Sequence, residues 1–412
     1  MHILFLSDNF PPEVNAPASR TFEHCRQWVN EGNQVTVITC NPNFPKGEIF
    51  FGYRNRLLQK EKMSGINVIR VWTYIAENQG FAKRILDYLS YMVSSFIASF
   101  LVRKVDLIIG TSPQFFTSVS AWGCSIFKRV PFVFELRDLW PESIKAVGAV
   151  KDSNLIQLFE ALEMFLYRRA ARIVSVTQSF KKNLVRRGID GSKIDVVTNG
   201  VDSKRFSHRS KNEGLVNQLG LKDCFVAGYI GTHGMAHSLE TLLYAMNKLR
   251  DHPCGKKIRL VLLGDGARKQ FLKDEANQLN LTNVIFIDTV SKEKVSDYWS
   301  ILDISIIHLK KTELFKTVIP SKLFECMGMG LPVLHGVEGE SADIVDETNC
   351  GVLFEPENAD QLLEKLLYLQ SEPAYLEILG QNALESAKNY DRTNLARQML
   401  DRLNLHTEGQ NT

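Results

Sequence analysis

Residues 315–333 combine a helix start with charged side chains at a spacing that suits binding of a nucleotide. Pro320 and Ser321 favour the start of a helix, which places Glu325 about one turn inside it. The N–H groups at a helix start and the Lys322 ammonium can bind phosphate, and the Glu325 carboxylate can accept two vicinal hydroxyls, such as those of a ribose. The alternative is that Glu325 only caps the helix by interacting with its dipole.

A glycine-containing loop follows a predicted strand in the same half of the chain. Gly231, Thr232, His233 and Gly234 end that strand and lead toward a predicted helix. Glycine lets the backbone approach a ligand closely, and the partial positive charge of a helix start favours a diphosphate. Such turns are common in α/β folds, so this loop alone identifies no ligand. The same is true of residues 264–266, which lack the remaining glycine of a dinucleotide fingerprint.

The loop after the first predicted strand, residues 7–20, is a candidate site in the other half of the chain. It contains three prolines and leads into a helix whose first N–H groups, near Asn15 and Ala16, suit an anion or a sugar hydroxyl. Arg20, one turn inside that helix, either reaches a phosphate or faces water. The alternative for the whole loop is that its prolines only stiffen a long connection.

Arg137 and Asp138 follow another apolar strand and begin a polar cluster that ends at Glu142. Adjacent charged residues at the carboxyl end of a strand need partners if they are buried, which favours a functional role. Asp138 is therefore the best candidate in this half of the chain for binding a sugar hydroxyl or accepting a proton.

Apolar runs typical of buried strands alternate with amphipathic helical stretches, which indicates parallel sheets joined by right-handed crossovers. The pattern restarts after a polar stretch at residues 203–220, so we predict an α/β protein with two Rossmann-like domains, at residues 1–203 and 204–388. Residues 389–412 are expected to be helical and then disordered from His406. The predicted strands are residues 2–7, 35–40, 68–72, 107–110, 132–136 and 173–176, followed by 225–230, 258–263, 284–287, 304–307, 333–335 and 352–354.

An apolar helix is predicted at residues 85–102. Two basic residues bracket it on each side, Lys83 and Arg84 before it and Arg103 and Lys104 after it. It is short for a transmembrane span, and Asp87 would be costly in a bilayer core. It is therefore either a buried crossover helix or a helix partly exposed to lipid at a membrane surface.

The charges of the 412 residues nearly balance, with 49 Lys and Arg against 46 Asp and Glu. A net charge of +3 is too small to indicate an electrostatic nucleic-acid binder. The seven cysteines lack the spacing of a zinc site, which indicates buried thiols in a reducing compartment. The first residues are typical of a strand rather than of a secretion signal, so we expect a cytoplasmic protein.

Taken together, the motifs resemble one family, the retaining GT-B glycosyltransferases of family 4, in particular the subgroup that builds bacterial surface polysaccharides. They occur in the family's order and cover nearly the whole chain: residues 10–20, 137–142 (Arg-Asp-Leu-Trp-Pro-Glu), 198–202 (Thr-Asn-Gly-Val-Asp), 263–266 (Leu-Gly-Asp-Gly) and 319–325. The resemblance implies the GT-B fold, with two facing Rossmann-like domains and a C-terminal helix that crosses back to the N-terminal domain.

The resemblance also implies where ligands bind. A nucleotide-sugar would lie mainly on the second domain, with Glu325 on the ribose and the backbone near Val290 and Leu323 against the base. The donor-binding residues would be Gly231, Thr232, His233, Gly234, Val290, Lys316, Thr317, Pro320, Ser321, Lys322, Leu323 and Glu325. The acceptor-binding residues would be Asn15, Ala16, Arg20, Arg137 and Asp138. Asp138, Lys322 and Glu325 would be catalytic.

Two departures from the family pattern change the expected donor site. Thr317 stands where the family has the first of two glutamates, eight residues before Glu325. The Arg and Lys that usually neutralise the diphosphate after the glycine loop are also missing, and His233 and His237 occupy that neighbourhood. Lys316, Lys322 and helix N–H groups must then carry more of that charge.

We therefore expect a metal-independent glycosyltransferase that uses a UDP-sugar and no cofactor, since no Asp-x-Asp motif occurs and cationic groups can stabilise the departing diphosphate. The resemblance implies retention of anomeric configuration. It also implies an undecaprenyl-diphosphate-linked sugar as acceptor, at the cytoplasmic face of the inner membrane, in O-antigen or capsule biosynthesis. An N-acetyl-L-fucosamine transferase fits best, because the missing acid suits a sugar with fewer hydroxyls.

Three other interpretations stay open at this point. A UDP-sugar 2-epimerase has the same two-domain fold but needs clustered carboxylates and a histidine, of which only Asp138 and His233 are obvious. A non-catalytic binding partner would account for Thr317 and for the missing Arg and Lys. A nicotinamide-dependent oxidoreductase has less support, because neither domain has a complete glycine fingerprint followed by an acidic residue.

Overall fold

We describe the protein from a computed structural model, in which residues 1–44, 47–75, 81–139, 154–250, 252–253, 255–291 and 293–408 are described. The chain divides into two compact units. Unit 1 consists of Met1–Thr198 and Arg392–Thr412, and unit 2 consists of Asn199–Asp391. The chain therefore leaves unit 1 once and returns to it near its end.

In the described residues, unit 1 is built on an eight-stranded sheet. Its strands are β1 (His2–Leu6), β2 (Gln34–Cys40), β3 (Leu58–Met63), β4 (Ile66–Val71), β5 (Leu107–Thr111), β6 (Phe132–Leu136), β7 (Arg172–Ser175) and β8 (Ile194–Val196). The order is β3-β4-β2-β1-β5-β6-β7-β8, and every neighbouring pair is parallel except β3 with β4. The strands predicted in this half are confirmed. β3 and β8 were not predicted.

Helices connect the strands of unit 1. They are α1 (Ala16–Asn30), α2 (Phe81–Ser99), α3 (Phe115–Lys128), α4 (Asn154–Arg169), α5 (Gln178–Arg186) and, at the end of the chain, α14 (Arg392–Glu408). β1, β5 and β6 are buried at every residue, as expected for parallel strands covered on both faces. The expectation of disorder from His406 was wrong for three residues, because α14 extends to Glu408.

The C-terminal helix α14 returns to unit 1 and packs on α1. Trp28 Nε1 in α1 donates to the carbonyl oxygen of Ala396 at 2.8 Å, and Arg392 pairs with Glu23 at 2.6 Å. The apolar residues of α14 that share a buried cluster with Trp28 are Leu395, Met399, Leu400 and Leu403. Each fully buried side chain of this size contributes about 1.5–3 kcal/mol, so the docking is substantial. The predicted crossover helix is confirmed.

α2, the apolar helix predicted at residues 85–102, is a crossover helix between β4 and β5. Its inner face packs on the sheet and on α3, where Tyr91 Oη donates to the carbonyl oxygen of Ile38 and the hydroxyls of Ser95 and Ser120 are 2.8 Å apart. Across the described part of the chain, none of the helices has both the length and the apolar character needed to span a membrane.

In the described residues, unit 2 contains a six-stranded sheet whose neighbouring strands are all parallel. Its strands are β9 (Phe225–Ile230), β10 (Ile258–Leu263), β11 (Val284–Ile287), β12 (Ile304–His308), β13 (Val333–Gly336) and β14 (Gly351–Leu353). Its helices are α6 (Glu213–Gln218), α7 (Glu240–Leu249), α8 (Lys269–Gln278), α9 (Val295–Ser300), α10 (Lys322–Met329), α11 (Glu340–Thr348), α12 (Ala359–Ser371) and α13 (Pro373–Ala387).

The strand order of unit 2, β11-β10-β9-β12-β13-β14, reverses between β9 and β12. In doubly wound sheets, ligands bind beyond the carboxyl ends of the strands at such a reversal. The strands predicted for this half are confirmed, and the loop after β9 lies at the expected ligand position.

Candidate functional site

Two glycine loops, at the carboxyl ends of β9 and β10, pack directly against each other. The N–H of Gly231 donates to the carbonyl oxygen of Leu263, and the N–H of His233 donates to that of Asp265, both at 2.9 Å. At Gly264, φ is +144° and a Cβ atom would lie 1.9 Å from the carbonyl oxygen of Gly231. Only glycine fits there, so Gly264 lets the two loops approach each other rather than a ligand.

α10 places Lys322 beside the β9 loop. Its Nζ lies 3.4 Å from the centroid of the Tyr229 ring, and a Cβ atom at Gly231 would lie 2.8 Å from it. Among the described residues, this buried Nζ has no hydrogen-bond partner. Burial lowers the pKa of Lys322 to about 7, and Cys326 and Glu325 oppose that shift only in part. The structure thus brings Lys322 and the glycine loop together, and Nζ can still donate a hydrogen bond to a ligand.

His233 and His237 lie around the same ring but supply no positive charge. Their ring centroids are 6.0 and 5.8 Å from that of Tyr229. Burial lowers the pKa of His233 to about 4 and that of His237 to about 3, and the charge of Lys322 adds to both shifts. Both rings are therefore neutral at pH 7. A diphosphate here would find its positive charge on Lys322.

Lys316 and Thr317, two predicted donor residues, are already engaged. The Lys316 ammonium lies 2.7 Å from the carboxylate of Glu313 and 3.6 Å from that of Glu338. The Thr317 hydroxyl donates to the carbonyl oxygen of Leu314 at 2.6 Å. Lys316 is thus ion-paired on the surface of the free protein, and its contact with a diphosphate stays a prediction.

The first turn of α10 uses several of its own N–H groups. The N–H of Leu323 donates to the carbonyl oxygen of Pro320, and those of Phe324 and Glu325 donate to that of Ser321. The sequence predicted that N–H groups here would be free for phosphate. Fewer backbone N–H groups are available for a phosphate than expected. The Lys322 side chain would therefore contribute a larger share of phosphate binding.

The other predicted donor residues differ in exposure. Glu325, Val290 and Gly234 are half-buried, and Thr232 is exposed. The Leu323 side chain is fully buried in the core cluster of unit 2, against which Val290 also packs. Leu323 can therefore offer only its backbone to a base.

Two residues of this region were missed from the sequence, Tyr229 and Lys269. Lys269 Nζ donates to the carbonyl oxygen of Gly264 at 2.7 Å and pairs with Asp288, which ties the ends of β10 and β11 together. Lys269 could have been predicted from the sequence, because it is a lysine just after the second glycine loop. Tyr229 gave no signal, because an aromatic residue in a strand is usually core.

In unit 1, the Arg20 side chain is buried and joins parts of the fold. Its buried guanidinium pairs with Glu135 at 2.9 Å and donates to the carbonyl oxygens of Val197 and Thr198. Burial raises the pKa of Glu135, but Arg20 and Arg137 outweigh it and hold that pKa below its ordinary value. The alternative that Arg20 faces water was therefore wrong, and its contact with a phosphate stays a prediction.

The other predicted acceptor residues gather at the carboxyl edge of the unit 1 sheet. Asn15 caps α1 through its side-chain oxygen, and the helix begins at Ala16. Arg137 donates to a carbonyl oxygen in the first turn of α1 at 3.2 Å, and Asp138 follows it, half-buried. The loop after β6 and the start of α1 are thus adjacent. Residues 140–142 of this motif lie outside the described residues.

Matches to known families decide what the two units are. Residues 18–205 match the family described as Glycosyltransferase Family 4, and residues 204–386 match the family described as Glycosyl transferases group 1. The two matches adjoin and together span both units. The chain is a glycosyltransferase.

This glycosyltransferase is similar over nearly its whole length to the putative colanic acid biosynthesis glycosyl transferase WcaI of Escherichia coli (strain K12). The two are 24% identical over 412 residues, which cover 97% of this chain and 99% of that one. It is also 23% identical, over 66% of its length and 64% of the relative's, to the putative teichuronic acid biosynthesis glycosyltransferase TuaH of Bacillus subtilis (strain 168).

Among solved structures, the glycosyltransferase resembles HepE from Anabaena, which was solved in complex with UDP and glucose. The TM-score is 0.73 at 18% identity, and the likeness covers 98% of this chain and 99% of that one. Similarity at this identity is evidence of the fold alone. It confirms the predicted GT-B architecture of two Rossmann-like domains.

Proposed function

We propose that this glycosyltransferase moves a sugar from a UDP-sugar to a hydroxyl of a lipid-diphosphate-linked acceptor, with retention at the anomeric carbon, in the synthesis of a bacterial surface polysaccharide. One observation carries the proposal: the buried Lys322 Nζ beside the β9 loop has no hydrogen-bond partner among the described residues. A buried amine without a partner is costly, and a diphosphate at the reversal of the unit 2 sheet would satisfy it.

The donor would bind to unit 2 around α10. Lys322 would donate to the diphosphate, and Glu325, three residues later, would accept the ribose hydroxyls. The backbone near Val290 and Leu323 would lie against the uracil. The shared fold with HepE, solved with UDP and glucose, supports UDP as the nucleotide. Thr317, whose hydroxyl is bonded within its own turn, supports a transferred sugar with few hydroxyls, such as N-acetyl-L-fucosamine.

The reaction we propose needs no enzymic nucleophile. The bond between the anomeric carbon and the UDP oxygen breaks, and the acceptor oxygen forms its bond to that carbon on the same face. The departing phosphate takes the acceptor's proton. Lys322 would stabilise the negative charge that develops on the leaving UDP, so the protein would act mainly by positioning and electrostatics, without a metal ion.

The acceptor would bind to unit 1, where the start of α1 and Asp138 adjoin. The Asp138 carboxylate would accept a hydrogen bond from a sugar hydroxyl. The names of two relatives, which refer to colanic acid and teichuronic acid biosynthesis, support a surface polysaccharide as the product. From this we infer an undecaprenyl-diphosphate-linked acceptor of O-antigen or capsule type.

An apolar surface on unit 1 supports an acceptor held at a membrane. Within residues 85–101, the exposed side chains are all apolar: Leu86, Val93, Ile97, Phe100 and Leu101. Phe100 also packs edge-on against Phe127 of α3, which is 66% exposed. We call these residues, with Ile126, the α2–α3 surface. Exposed Arg103, Lys104 and Arg129 directly follow the two helices, and this combination suits an anionic lipid surface such as the cytoplasmic face of the inner membrane.

A transfer assay tests this proposal. The purified protein is given a panel of UDP-N-acetylhexosamines and an undecaprenyl-diphosphate-linked sugar in vesicles. UDP release coupled to a lengthened lipid product is measured, and the anomeric configuration of the product is read by NMR. Glu325→Gln should raise the barrier to transfer by about 2–4 kcal/mol, because a charge-assisted hydrogen bond to the donor is lost.

Glu377→Gln is the control, since Glu377 is exposed on α13 of unit 2 and is not assigned to the donor. It should leave transfer unchanged. Transfer by Glu325→Gln at the wild-type rate would contradict the donor site. Release of a free 2-epimer of the sugar would favour the epimerase, and no conversion of any UDP-sugar would favour a non-catalytic binding protein.

A further inference from the structure

The Tyr229 ring is a fixed support beneath Lys322. The side chain is fully buried on β9, and its hydroxyl donates to the carbonyl oxygen of Thr232 at 2.8 Å. The Lys322 Nζ lies over the face of the ring, 3.4 Å from the centroid, within the range of a cation–π contact. The ring therefore sets the position of the amine while leaving its hydrogens free to be donated elsewhere.

The titratable groups that face Lys322 leave it without a neutralising bond. From α10 come Glu325 and Cys326, and burial raises the pKa of the Cys326 thiol, which is therefore neutral. From the β9 loop and the turn after it come His233 and His237, both neutral at pH 7 because burial lowers each pKa. Glu325 is thus the carboxylate whose charge acts on Lys322, yet it makes no hydrogen bond with Nζ.

Charged groups of the β10 loop and of α8 shift the pKa of His233 and not that of Lys322. Lys269 and Lys273 lower the pKa of His233, and Asp265 raises it. Lys269 itself is held by Asp288 and by a carbonyl oxygen of its own loop. Burial and the two lysines outweigh Asp265, so His233 stays neutral at pH 7 and the amine of Lys322 is the group of this site that titrates near pH 7.

We propose that Lys322 and Tyr229 form a proton-coupled latch for the donor. In the free protein the Lys322 amine rests on the Tyr229 ring without a hydrogen bond, and the donor's diphosphate fixes it there as an ammonium that takes its proton from solvent. Tyr229 is a positioning residue, because it touches Lys322 and not the donor. This inference rests on the proposed function and adds a dependence of donor affinity on pH and on Tyr229.

The direction of the pH effect follows from the burial of Lys322. The pKa is about 7 in the free protein and rises when an anion binds, since the charged form then gains a partner. Above that pH the Lys322 amine is mostly neutral in the free protein and protonated in the complex. Lys322 therefore takes up nearly one proton for each UDP that binds. The affinity for UDP then falls up to tenfold per pH unit above about pH 7 and levels off below it.

Calorimetric titration of the wild-type protein with UDP measures the uptake. It is done between about pH 7 and pH 9, because a terminal phosphate itself titrates near pH 6. Two buffers with different ionisation enthalpies are compared, and the difference in binding enthalpy gives the number of protons. We expect a number that approaches one per UDP about one pH unit above the pKa. UDP binding with no buffer-dependent enthalpy would overturn the latch and leave the proposed function standing.

Lys322→Arg is the matched variant, because a guanidinium keeps its proton throughout this range. It should bind UDP with no proton uptake and with an affinity that hardly changes with pH. Uptake by Lys322→Arg equal to that of the wild type would assign the proton to another group and overturn the latch. Lys322→Met should lose UDP binding while melting no lower than the wild type, since it removes a buried amine that has no partner.

Two variants of Tyr229 test its part. Tyr229→Phe keeps the ring and should bind UDP within about twofold of the wild type. Tyr229→Leu removes the ring and should weaken UDP binding about fivefold, with a rise in donor KM larger than the fall in kcat. Equal UDP affinity of a folded Tyr229→Leu protein and the wild type would refute the role of the ring. Wild-type protein that binds no UDP at all would overturn the proposed function together with the latch.

Discussion

Arg20 and Lys322 are both buried cations, and what each one contacts decides its role. Arg20 donates hydrogen bonds to the Glu135 carboxylate and to two carbonyl oxygens, and these bonds join separate segments of unit 1. Lys322 rests on an aromatic ring and makes no hydrogen bond among the described residues. A paired charge stabilises the fold around it, whereas an unpaired one is costly until a ligand arrives. Lys322 is therefore the residue to associate with binding.

Arg20→Met should destabilise the protein without impairing the donor site. The Glu135 carboxylate would remain buried without its partner, which costs about 3–5 kcal/mol. Chemical denaturation measures this loss, and UDP affinity below the transition should be unchanged. Lys182→Met, at an exposed lysine of α5, is the control and should change stability by less than about 0.5 kcal/mol. A folded Arg20→Met protein as stable as the wild type would contradict the structural role.

The Glu135 carboxylate should also affect acid stability. Its pKa is held below the ordinary value by Arg20 and Arg137 despite burial, so below the unfolded-state pKa the unfolded chain binds more protons than the native one. The contribution of Glu135 to stability is thus present above that pKa, about 4.3, and is lost as the pH falls through the native value. Unfolding free energies of wild type and Glu135→Gln should converge at low pH. A difference that widens toward low pH would contradict this sign.

At the scale of elements, the sequence was most informative where strands are buried on both faces. Such strands are continuous apolar runs, and β1, β5 and β6 were predicted on that basis. β3 was missed because its residues, Leu-Gln-Lys-Glu-Lys-Met, are mostly polar and alternate between exposed and half-buried at the edge of the sheet.

Residues of the site were harder to assign than elements. The partners of Arg20 and Lys322 are distant in sequence, 115 residues away for the Glu135 of Arg20, so local pattern could not tell a paired charge from an unpaired one.

The glycine loops of unit 2 give an element-scale prediction. In Gly264→Ala the added Cβ would meet the carbonyl oxygen of Gly231, so the β9 and β10 loops must move apart. We expect UDP affinity to fall at least tenfold, measured by calorimetry, together with a loss of stability. Gly220→Ala is the control, because φ is also positive there, at +64°, and a Cβ would meet nothing within 4 Å. It should cost about 1–2 kcal/mol and leave UDP affinity unchanged. Equal UDP binding by both variants would contradict the need for close loops.

At the scale of the whole molecule, the α2–α3 surface is the feature that the donor site does not explain. It combines exposed apolar side chains with exposed basic residues and lies on unit 1, where we propose that the acceptor binds. An anionic bilayer suits both features, since its hydrocarbon accepts apolar side chains and its head groups attract basic ones.

Vesicle sedimentation tests the α2–α3 surface. The wild type should bind vesicles that contain phosphatidylglycerol, and binding should weaken in high salt and with neutral lipid. Ile97→Glu and Phe127→Glu should each reduce binding at least fivefold, since each removes apolar contact and adds a negative charge. Ile378→Glu, at an isoleucine of unit 2 that is 50% exposed, should bind as the wild type does. Equal losses in all three variants would contradict a specific surface.

Thermal stabilisation by nucleotides tests the proposed UDP-sugar site at Lys322 and Glu325. UDP, GDP, ADP and NAD are each added to the purified protein in large excess. A ligand present at 100 times its dissociation constant stabilises the folded state by about 2.7 kcal/mol, which a melting curve resolves readily. We expect stabilisation by UDP alone, and its loss in Glu325→Ala but not in Glu377→Gln. No stabilisation by UDP, or stabilisation that Glu325→Ala leaves intact, would contradict the proposed site.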